Sequence, residues 1–388
     1  MYFTYFITKD RTIIKHLAYL LIITKVKSNA MPKMPNIPFF RPKKLPLIGI
    51  DISSSAVKIL ETHPSGQQLK VASYGITSLE NGAVADRRIK DYKSVARSIK
   101  RVINLTQPNT RRAAVAIPNA AIITRTLSLP RELNDEETEA LVRVEADQHI
   151  PYPLNEVAID FQRLPPLNSN DENQPVLVVA CRKEVTDQLD YVLEVAGLEP
   201  VITDVENFAM QRSLGLILKN LSQQEQSLVA VADIGATTTT LNLLKNGEII
   251  YSRDQAFGGK QLTDEIQRLY GLSLEEAAFA KKKGNLPTSY YSDLLKPFKV
   301  ALIQQIERQL QLFYSSTSYH NIDHLILAGG SAAIPNLTTI SEQQLDCPTH
   351  LANPFIGMAL SSKVDINALT QDAPAMMIAC GLAMRAKP

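Results

Sequence analysis

The chain has 388 residues, with 41 basic against 39 acidic side chains and a formal net charge of +2; it is 45% hydrophobic and 21% charged and has no tryptophan. This balance excludes a disordered chain, a collagen and a disulfide miniprotein, and it leaves no net field to draw a polyanion such as a nucleic acid. At ~100–200 residues per domain, the length allows two or three domains.

Residues 1–30 hold an apolar stretch, Leu17 to Thr24, far short of the ~20 residues that span a bilayer. No small-residue cleavage site follows it. Met31 and Met34 open the Pro-rich segment MPKMPNIPFFRPKKLP, where proline prevents a helix. Translation is expected to start at Met31 or Met34, with residues 1–30 an upstream artefact. An amphipathic anchor on a membrane surface is the alternative. Residues 1–45 are set apart as a tail.

From there the pattern predicts three strands over 47–78, a helix over 90–105, and strands at 111–117 and 121–130. Asn134 with Glu137 three residues on is a capping-box start for a helix over 134–150, with Ala140, Leu141, Val144 and Ile150 on its apolar face. Pro151 and Pro153 stop it. Strands follow in VAIDFQRL and PVLVVACR, then a helix ending near Gly197. The segment 126–198 reads as an inserted α+β subdomain, and 260–322 as a nearly all-helical insertion. Within the latter, Leu302, Ile306, Leu310 and Phe313 form a stripe expected in the core. Cys181, Cys347 and Cys380 have no zinc-ligand spacing. They read as small buried residues of a chain kept in a reducing cytoplasm.

The organising feature is a long-range repeat. Residues 47–62 read LIGIDISSSAVKILET, and residues 228–243 read LVAVADIGATTTTLNL. Each is an apolar strand ending in Asp-Ile, a turn of small residues, and a second strand. A turn of small residues presents backbone N–H groups to an anion. Ser53, Ser54 and Ser55 add hydroxyls in the first copy; Thr237 and Thr238 add them beside Gly235 and Ala236 in the second. Asp51 and Asp233 at the strand ends suit a hydrated Mg²⁺. Two facing turns would clamp a triphosphate. Two further features fit that site. A strand runs into Gly329-Gly330-Ser331, which reads as a surface for a flat ligand or as a plain strand-to-helix turn. Glu206 opens a helix at a strand end, as a ligand contact or as a complement to the helix dipole.

In this order these pieces resemble the actin-like ATPase superfamily. Asp51–Lys58 matches its first phosphate hairpin, Asp204–Ala209 its first connecting helix, Asp233–Thr240 its second phosphate hairpin and Gly329–Ser331 its adenosine turn. Within the superfamily the chain looks like the PilM family of type IV pilus assembly. The carrying residues are 49–61, 144–162, 204–215 and 257–287, and His149-Ile150-Pro151-Tyr152-Pro153-Leu154 is the most family-specific block. Two departures stand out. Ser53 replaces a glycine, and Ala277-Ala278 replaces the Ala-Glu pair that can reach the ribose in FtsA-like chains, upstream of Lys281.

The resemblance implies a duplicated, ribonuclease H-like α/β fold. Residues 46–125 and 199–226 would form one core subdomain, and 227–259 and 323–388 the other. It implies ATP and Mg²⁺ as cofactors, with Asp51 and Asp233 on the metal and Glu206 orienting the attacking water. Ser53, Ser54, Ser55, Lys58, Gly235, Ala236, Thr237, Thr238, Lys281, Gly329, Gly330 and Ser331 would hold the nucleotide, Lys281 ahead of its neighbours Lys282 and Lys283. Any ATP hydrolysis is expected to be slow. The implied partner is the N-terminal cytoplasmic tail of PilN, held beside the inserted subdomain at the cytoplasmic face of the inner membrane. Self-association is open, and nucleic acid is not expected. A filament-forming protein like FtsA and a small-molecule kinase of the same fold are the alternatives.

Overall fold

Five of the six residues of β1 (Leu47–Ile52) are buried, as expected of a strand covered on both faces. It pairs antiparallel with β2 (Ala56–Ser65), which pairs with β3 (Gln68–Ser78). A two-stranded hairpin, β4 (Val84–Ala85) and β5 (Arg88–Ile89), leads into α1 (Tyr92–Thr106). The chain then returns as β6 (Arg112–Ile117), parallel to β1. This computed structural model describes residues 46–66, 68–166, 171–220 and 227–385; the expectations for the N-terminal 45 residues lie outside them.

An insert interrupts this lobe. Strand β7 (Ile122–Pro130), helix α2 (Asp135–His149), β8 (Val157–Arg163) and β9 (Asn173–Arg182) build a three-stranded antiparallel sheet in the order β7-β9-β8, with one helix. The capping box of Asn134 and Glu137 is present. The buried face of α2 differs in part from expectation: Ile150 is buried and Leu141 packs against the core as expected, but the helix buries Thr138, Val142 and Ala146, while Ala140 is exposed and Val144 is 59% exposed. Thr138 tolerates burial because its hydroxyl donates to the Asn134 carbonyl and accepts from Arg163, so it enters the core with its polar group satisfied.

Helix α3 (Lys183–Val195) corrects the reading of 126–198 as one inserted unit. Its Leu189, Val192 and Leu193, with Ala196 and Leu198, pack with Val95, Ile99, Val102 and Ile103 of α1 in the first lobe's core. The helix follows β9 directly, so sequence adjacency hid its allegiance; its i, i+3, i+4 apolar face serves the first sheet. β10 (Glu199–Val205) then adds parallel to β6, and α4 (Glu206–Asn220) leaves toward the second lobe.

The second lobe repeats the first. β11 (Leu228–Ile234), β12 (Thr239–Lys245) and β13 (Glu248–Gln255) form an antiparallel meander. Helices α5 (Gly259–Tyr270), α6 (Leu274–Lys283) and α7 (Lys296–Ser316) follow. Leu302, Ile306, Leu310 and Phe313 of α7 are buried against Ala230, Ile234, Leu241 and Leu243 of the sheet, the core role expected of that stripe. β14 (His324–Ala328) joins β11 in parallel; α8 (Leu337–Leu345) leads to β15 (Thr349–Leu351), parallel to β14. Each lobe is thus a three-stranded meander extended by two parallel strands, the duplicated actin-like fold.

The C-terminal segment crosses back, which corrects the assignment of all of 323–388 to the second lobe. β16 (Ala359–Leu360) pairs with β3 at the edge of the first sheet. After α9 (Ile366–Asp372), helix α10 (Met377–Ala383) lays Ala379, Cys380 and Ala383 on Leu60 and Val71. Helices α4 and α10 therefore run between the lobes. Met210, Leu214 and Ile217 of α4 cover the second sheet, while Ala209 packs with Leu47, Ala114 and Leu382. Where the helices meet, a Cβ on Gly381 would overlap the Ala209 carbonyl, so only glycine allows this approach. Cys181, Cys347 and Cys380 are free thiols and buried, as expected. Among the described residues, no helix is long and apolar enough to cross a membrane.

Candidate functional site

Both repeated turns lie at the same end of their sheets, and they meet. Thr237 Oγ1 donates to Ser54 Oγ at 3.2 Å. In the first hairpin Asp51 stands opposite Lys58 in register, and the ammonium donates to its carboxylate at 2.7 Å. In the second hairpin the register partner of Asp233 is Thr240, and Asp233 makes no ion pair among the described residues.

The three serines are not equivalent. Ser53 commits both its N–H and its hydroxyl to the Ala56 carbonyl, each at 2.9 Å, so its side chain closes the turn. Ser54 faces the other lobe, and Ser55 is exposed. In the second turn Gly235 N–H closes onto the Thr238 carbonyl at 2.9 Å. The carbonyls of Gly235 and Ala236 accept from the N–H groups of Gly259 and Lys260 at 3.0 and 2.7 Å. Ser331 Oγ also donates to the Gly235 carbonyl, at 3.0 Å. Helix α5 and the Gly329-Gly330-Ser331 turn thus brace one phosphate-type hairpin from two sides.

Gly329 and Gly330 also divide. Gly329 has φ of +90°, and a Cβ there would lie 2.5 Å from Asp233 Oδ1. This residue lets the turn close on the aspartate. Gly330 is exposed, and a Cβ there would meet nothing within 4 Å.

Glu206 sits at the junction of β10 and α4. Its Oε2 accepts from Arg87 Nη1 at 2.8 Å and from the Asn119 N–H at 3.4 Å. Burial pushes its carboxyl up to about 7 against the pull of Arg87, with Asp51 and Asp233 adding to the rise. Burial likewise lifts Asp233 to about 6, opposed by Lys58 and reinforced by Asp51. Burial works to lower Lys58, but Asp51, Asp233 and Glu206 hold it above its ordinary value. A carboxyl near 7 at the edge of the cleft is poised for proton exchange with water.

Of the three lysines ending α6, Lys281 turns inward. Its Nζ donates to the Gly259 carbonyl at 2.8 Å and to Thr263 Oγ1 at 2.6 Å, and burial lowers it to about 8. It borders Gly259 together with Ser331. Lys282 is 74% exposed, with Asp372 at 3.8 Å, and Lys283 is exposed.

Among the described residues, no group of three or more His, Cys, Asp or Glu side chains could hold a metal alone. Asp51 and Asp233 offer hard oxygen donors with hydroxyls alongside, a set that suits Mg²⁺ only when a ligand supplies further oxygens. The cleft fits such a ligand. Two turns face across 3.2 Å, a glycine turn closes on Asp233, and the Lys58 and Arg87 cations lie among the carboxylates.

Arg87, Asp254 and the Gly258-Gly259 pair were missed in the sequence. Arg87 lies in a short hairpin with no motif around it. The glycine pair carries a legible signal, two adjacent glycines at a strand-to-helix turn.

A second concave region belongs to the insert. A narrow crevice of about 10 Å³ lies between α2 and β7, lined by Ile123, Arg125, Leu127, Glu145, His149 and Ile150. β7 is an edge strand of its sheet. A larger cavity of about 600 Å³ opens where the insert meets the first lobe, between Tyr92 and Tyr191 on one side and Asn155 and Arg182 on the other.

Comparison with known proteins gives consistent matches. The family model described as type IV pilus assembly protein PilM matches residues 49–387. A solved structure of a PilM-PilN type IV pilus biogenesis complex is similar with a TM-score of 0.73 and 28% identity, over 89% of this chain and 100% of that one. Cell division protein FtsA of Bacillus subtilis (strain 168) is 23% identical over 361 residues, 80% of this chain and 79% of FtsA. The ethanolamine utilization protein EutJ of Carboxydothermus hydrogenoformans shares the fold at a TM-score of 0.50 and 16% identity, over 87% of this chain and 88% of EutJ.

Proposed function

This chain belongs to the family of type IV pilus assembly protein PilM, and we propose that it serves pilus assembly as a scaffold gated by ATP. In this reading, nucleotide is held between the Asp51–Lys58 and Asp233–Thr240 hairpins and a PilN-type partner docks on the insert. The observation that carries it is the meeting of the two in-register hairpins at Ser54 and Thr237. Bound Mg²⁺ would neutralise phosphate charge. Asp51 and Asp233 would hold it, Lys58 pairs with Asp51 at 2.7 Å, and Ser54, Thr237 and Thr238 supply hydroxyl donors. Gly329, Gly330 and Ser331, with Lys281 behind them, form the wall for the base and sugar. Glu206 orients water and takes its proton. Catalysis in such a site rests on positioning and charge, so turnover is slow and lobe geometry is the output.

The partner segment is the N-terminal tail of a PilN-type inner-membrane protein, so the chain works in the cytoplasm at that membrane face. The free edge of β7, with the crevice beside it, supports this placement. An edge strand offers backbone N–H and C=O groups to an added peptide strand, and Ile123, Leu127 and Ile150 offer apolar contacts for its side chains. The test is titration of a fluorescent synthetic PilN tail peptide into the purified protein, with and without ATP–Mg²⁺. Saturable binding that ATP strengthens or weakens is expected. Absence of peptide binding in both conditions would overturn the scaffold reading. Leu127→Asp should abolish peptide binding without changing nucleotide binding.

A further inference from the structure

Arg87 and its neighbour Asp86 form the turn between β4 and β5, both at positive φ, 57° and 51°. Two-residue hairpin turns demand this conformation, but a side chain as large as arginine adopts it rarely. The turn carries the guanidinium across the cleft. Nη1 donates to Glu206 Oε2 at 2.8 Å, and Nη2 donates to Thr240 Oγ1 at 3.0 Å and lies 3.2 Å from Asp254 Oδ1. Arg87 belongs to the first lobe; Thr240 and Asp254 stand on β12 and β13 of the second. One side chain therefore joins Glu206 to both halves of the cleft.

The repeat supplies the rest of the argument. In the first hairpin, Lys58 stands across the strand pair from Asp51 and answers its charge. In the second, the matching position opposite Asp233 is Thr240, which carries no charge. Arg87 donates to that threonine. A cation from the other lobe thus stands where the second copy of the hairpin lacks its own.

Resting on the reading of this cleft as a nucleotide site, we propose that Arg87 distinguishes a nucleoside triphosphate from a diphosphate by exchanging Glu206 and Asp254 for the terminal phosphate. The guanidinium fork matches phosphate oxygens two at a time, and a doubly charged terminal phosphate outcompetes single carboxylates for it. The exchange has two consequences. Glu206 is released to orient water, and the Arg87–Asp254 tie between the lobes opens. A diphosphate, one phosphoryl shorter, leaves both contacts in place. Arg87 then couples the identity of the nucleotide to the link between the lobes.

The test is isothermal titration of the full chain with Mg²⁺ and either ADP or the β,γ-imido analogue of ATP. The unsubstituted protein should prefer the triphosphate analogue, and Arg87→Ala should reduce the ratio of the two affinities about tenfold, the scale of a lost charge-assisted pair. Arg87→Lys should recover part of that ratio. Glu206→Gln, which removes the competing carboxylate, should raise it severalfold; it keeps the question open to test if Arg87→Ala folds poorly. An unchanged ratio in Arg87→Ala and in Glu206→Gln would overturn the proposal and leave the nucleotide site standing. Absence of binding of either nucleotide to the unsubstituted protein would overturn the nucleotide reading itself, and this proposal with it.

Discussion

Thr237 donates its hydroxyl to Ser54 at 3.2 Å, between turns 183 positions apart in the chain. Two lobes that touch at their matching turns are held in register by few atoms there, while α4 and α10 carry the load at the base. The two aspartates behind those turns look alike in sequence but stand in different electrostatic settings, and substitution should separate them. Asp51→Ala removes the one ion-pair partner of the nearly buried Lys58 ammonium among the described residues, leaving Asp233 and Glu206 as countercharges that make no ion pair with it. It should cost about 3 kcal/mol of stability, read as a lower denaturant midpoint. Asp233→Ala removes a carboxylate with no ion-pair partner, so the melting temperature should hold or rise while Mg²⁺-dependent nucleotide binding is lost. Equal destabilisation by both would contradict the contrast.

The raised carboxyls give a pH signature. Glu206, near 7, and Asp233, near 6, both bind protons more tightly in the folded protein than in the unfolded chain. Where the native state holds more protons, stability falls as pH rises. Their contribution is therefore fully present below the unfolded carboxylate range and is lost as pH climbs through about 6 to 7. In the absence of nucleotide, the melting temperature should rise as pH is lowered from 8 toward 5.5. The double variant Glu206→Gln with Asp233→Asn should flatten that slope. In the proposed site Asp233 would hold Mg²⁺ as a carboxylate, so the affinity for nucleotide with Mg²⁺ should move the other way and weaken below about 6.

Adjacent glycines in the Gly329-Gly330-Ser331 turn make a sharper test. Gly329→Ala would force a Cβ against the Ile234 carbonyl and Asp233 Oδ1 at a φ of +90°. Destabilisation of about 2 kcal/mol or more is expected from the strain and the clash. Gly330→Ala enters open space and should stay within about 0.5 kcal/mol of the parent. Thermal unfolding of the two variants side by side decides it.

Much of this was legible before the fold was known, for reasons that differ by residue. The hairpins were readable because an apolar strand, an Asp-Ile end and a small-residue turn recur together, and recurrence is a stronger signal than any single turn. The capping box at Asn134 was readable because it is local. What was missed depends on which sheet an element packs against. Helix α3 follows the insert in sequence but fills the first lobe's core. α10 lies far from β2 and β3 in sequence yet packs beside their Leu60 and Val71. Val144 sits at a plausible helical spacing, yet the neighbouring sheet takes Thr138, Val142 and Ala146 instead. Arg87 was invisible for the same reason: its partners stand 119 and 153 positions away, and an isolated arginine in a surface-like hairpin has no local mark.

Lys281 gives the last prediction, because three successive lysines separate cleanly by environment. Burial lowers its ammonium to about 8, Asp264 opposing, yet Nζ keeps two hydrogen bonds, to the Gly259 carbonyl and to Thr263 Oγ1. Those bonds tie the end of α6 to the start of α5, whose Gly259 and Lys260 N–H groups brace the second hairpin. Lys281→Met preserves the aliphatic stem but removes the donor to Thr263 Oγ1 and leaves the Gly259 carbonyl with the Thr263 hydroxyl at 3.1 Å, a loss of about 1–3 kcal/mol. Lys282→Met and Lys283→Met alter exposed side chains and should stay within about 0.5 kcal/mol. Because the Gly235 and Ala236 carbonyls depend on α5, Lys281→Met should also weaken nucleotide binding more than its neighbours do, measured by titration at a temperature where all three variants are folded. A Lys281 variant that melts lower but binds nucleotide like the parent would make this lysine a strut of the helical insertion, uncoupled from the second hairpin.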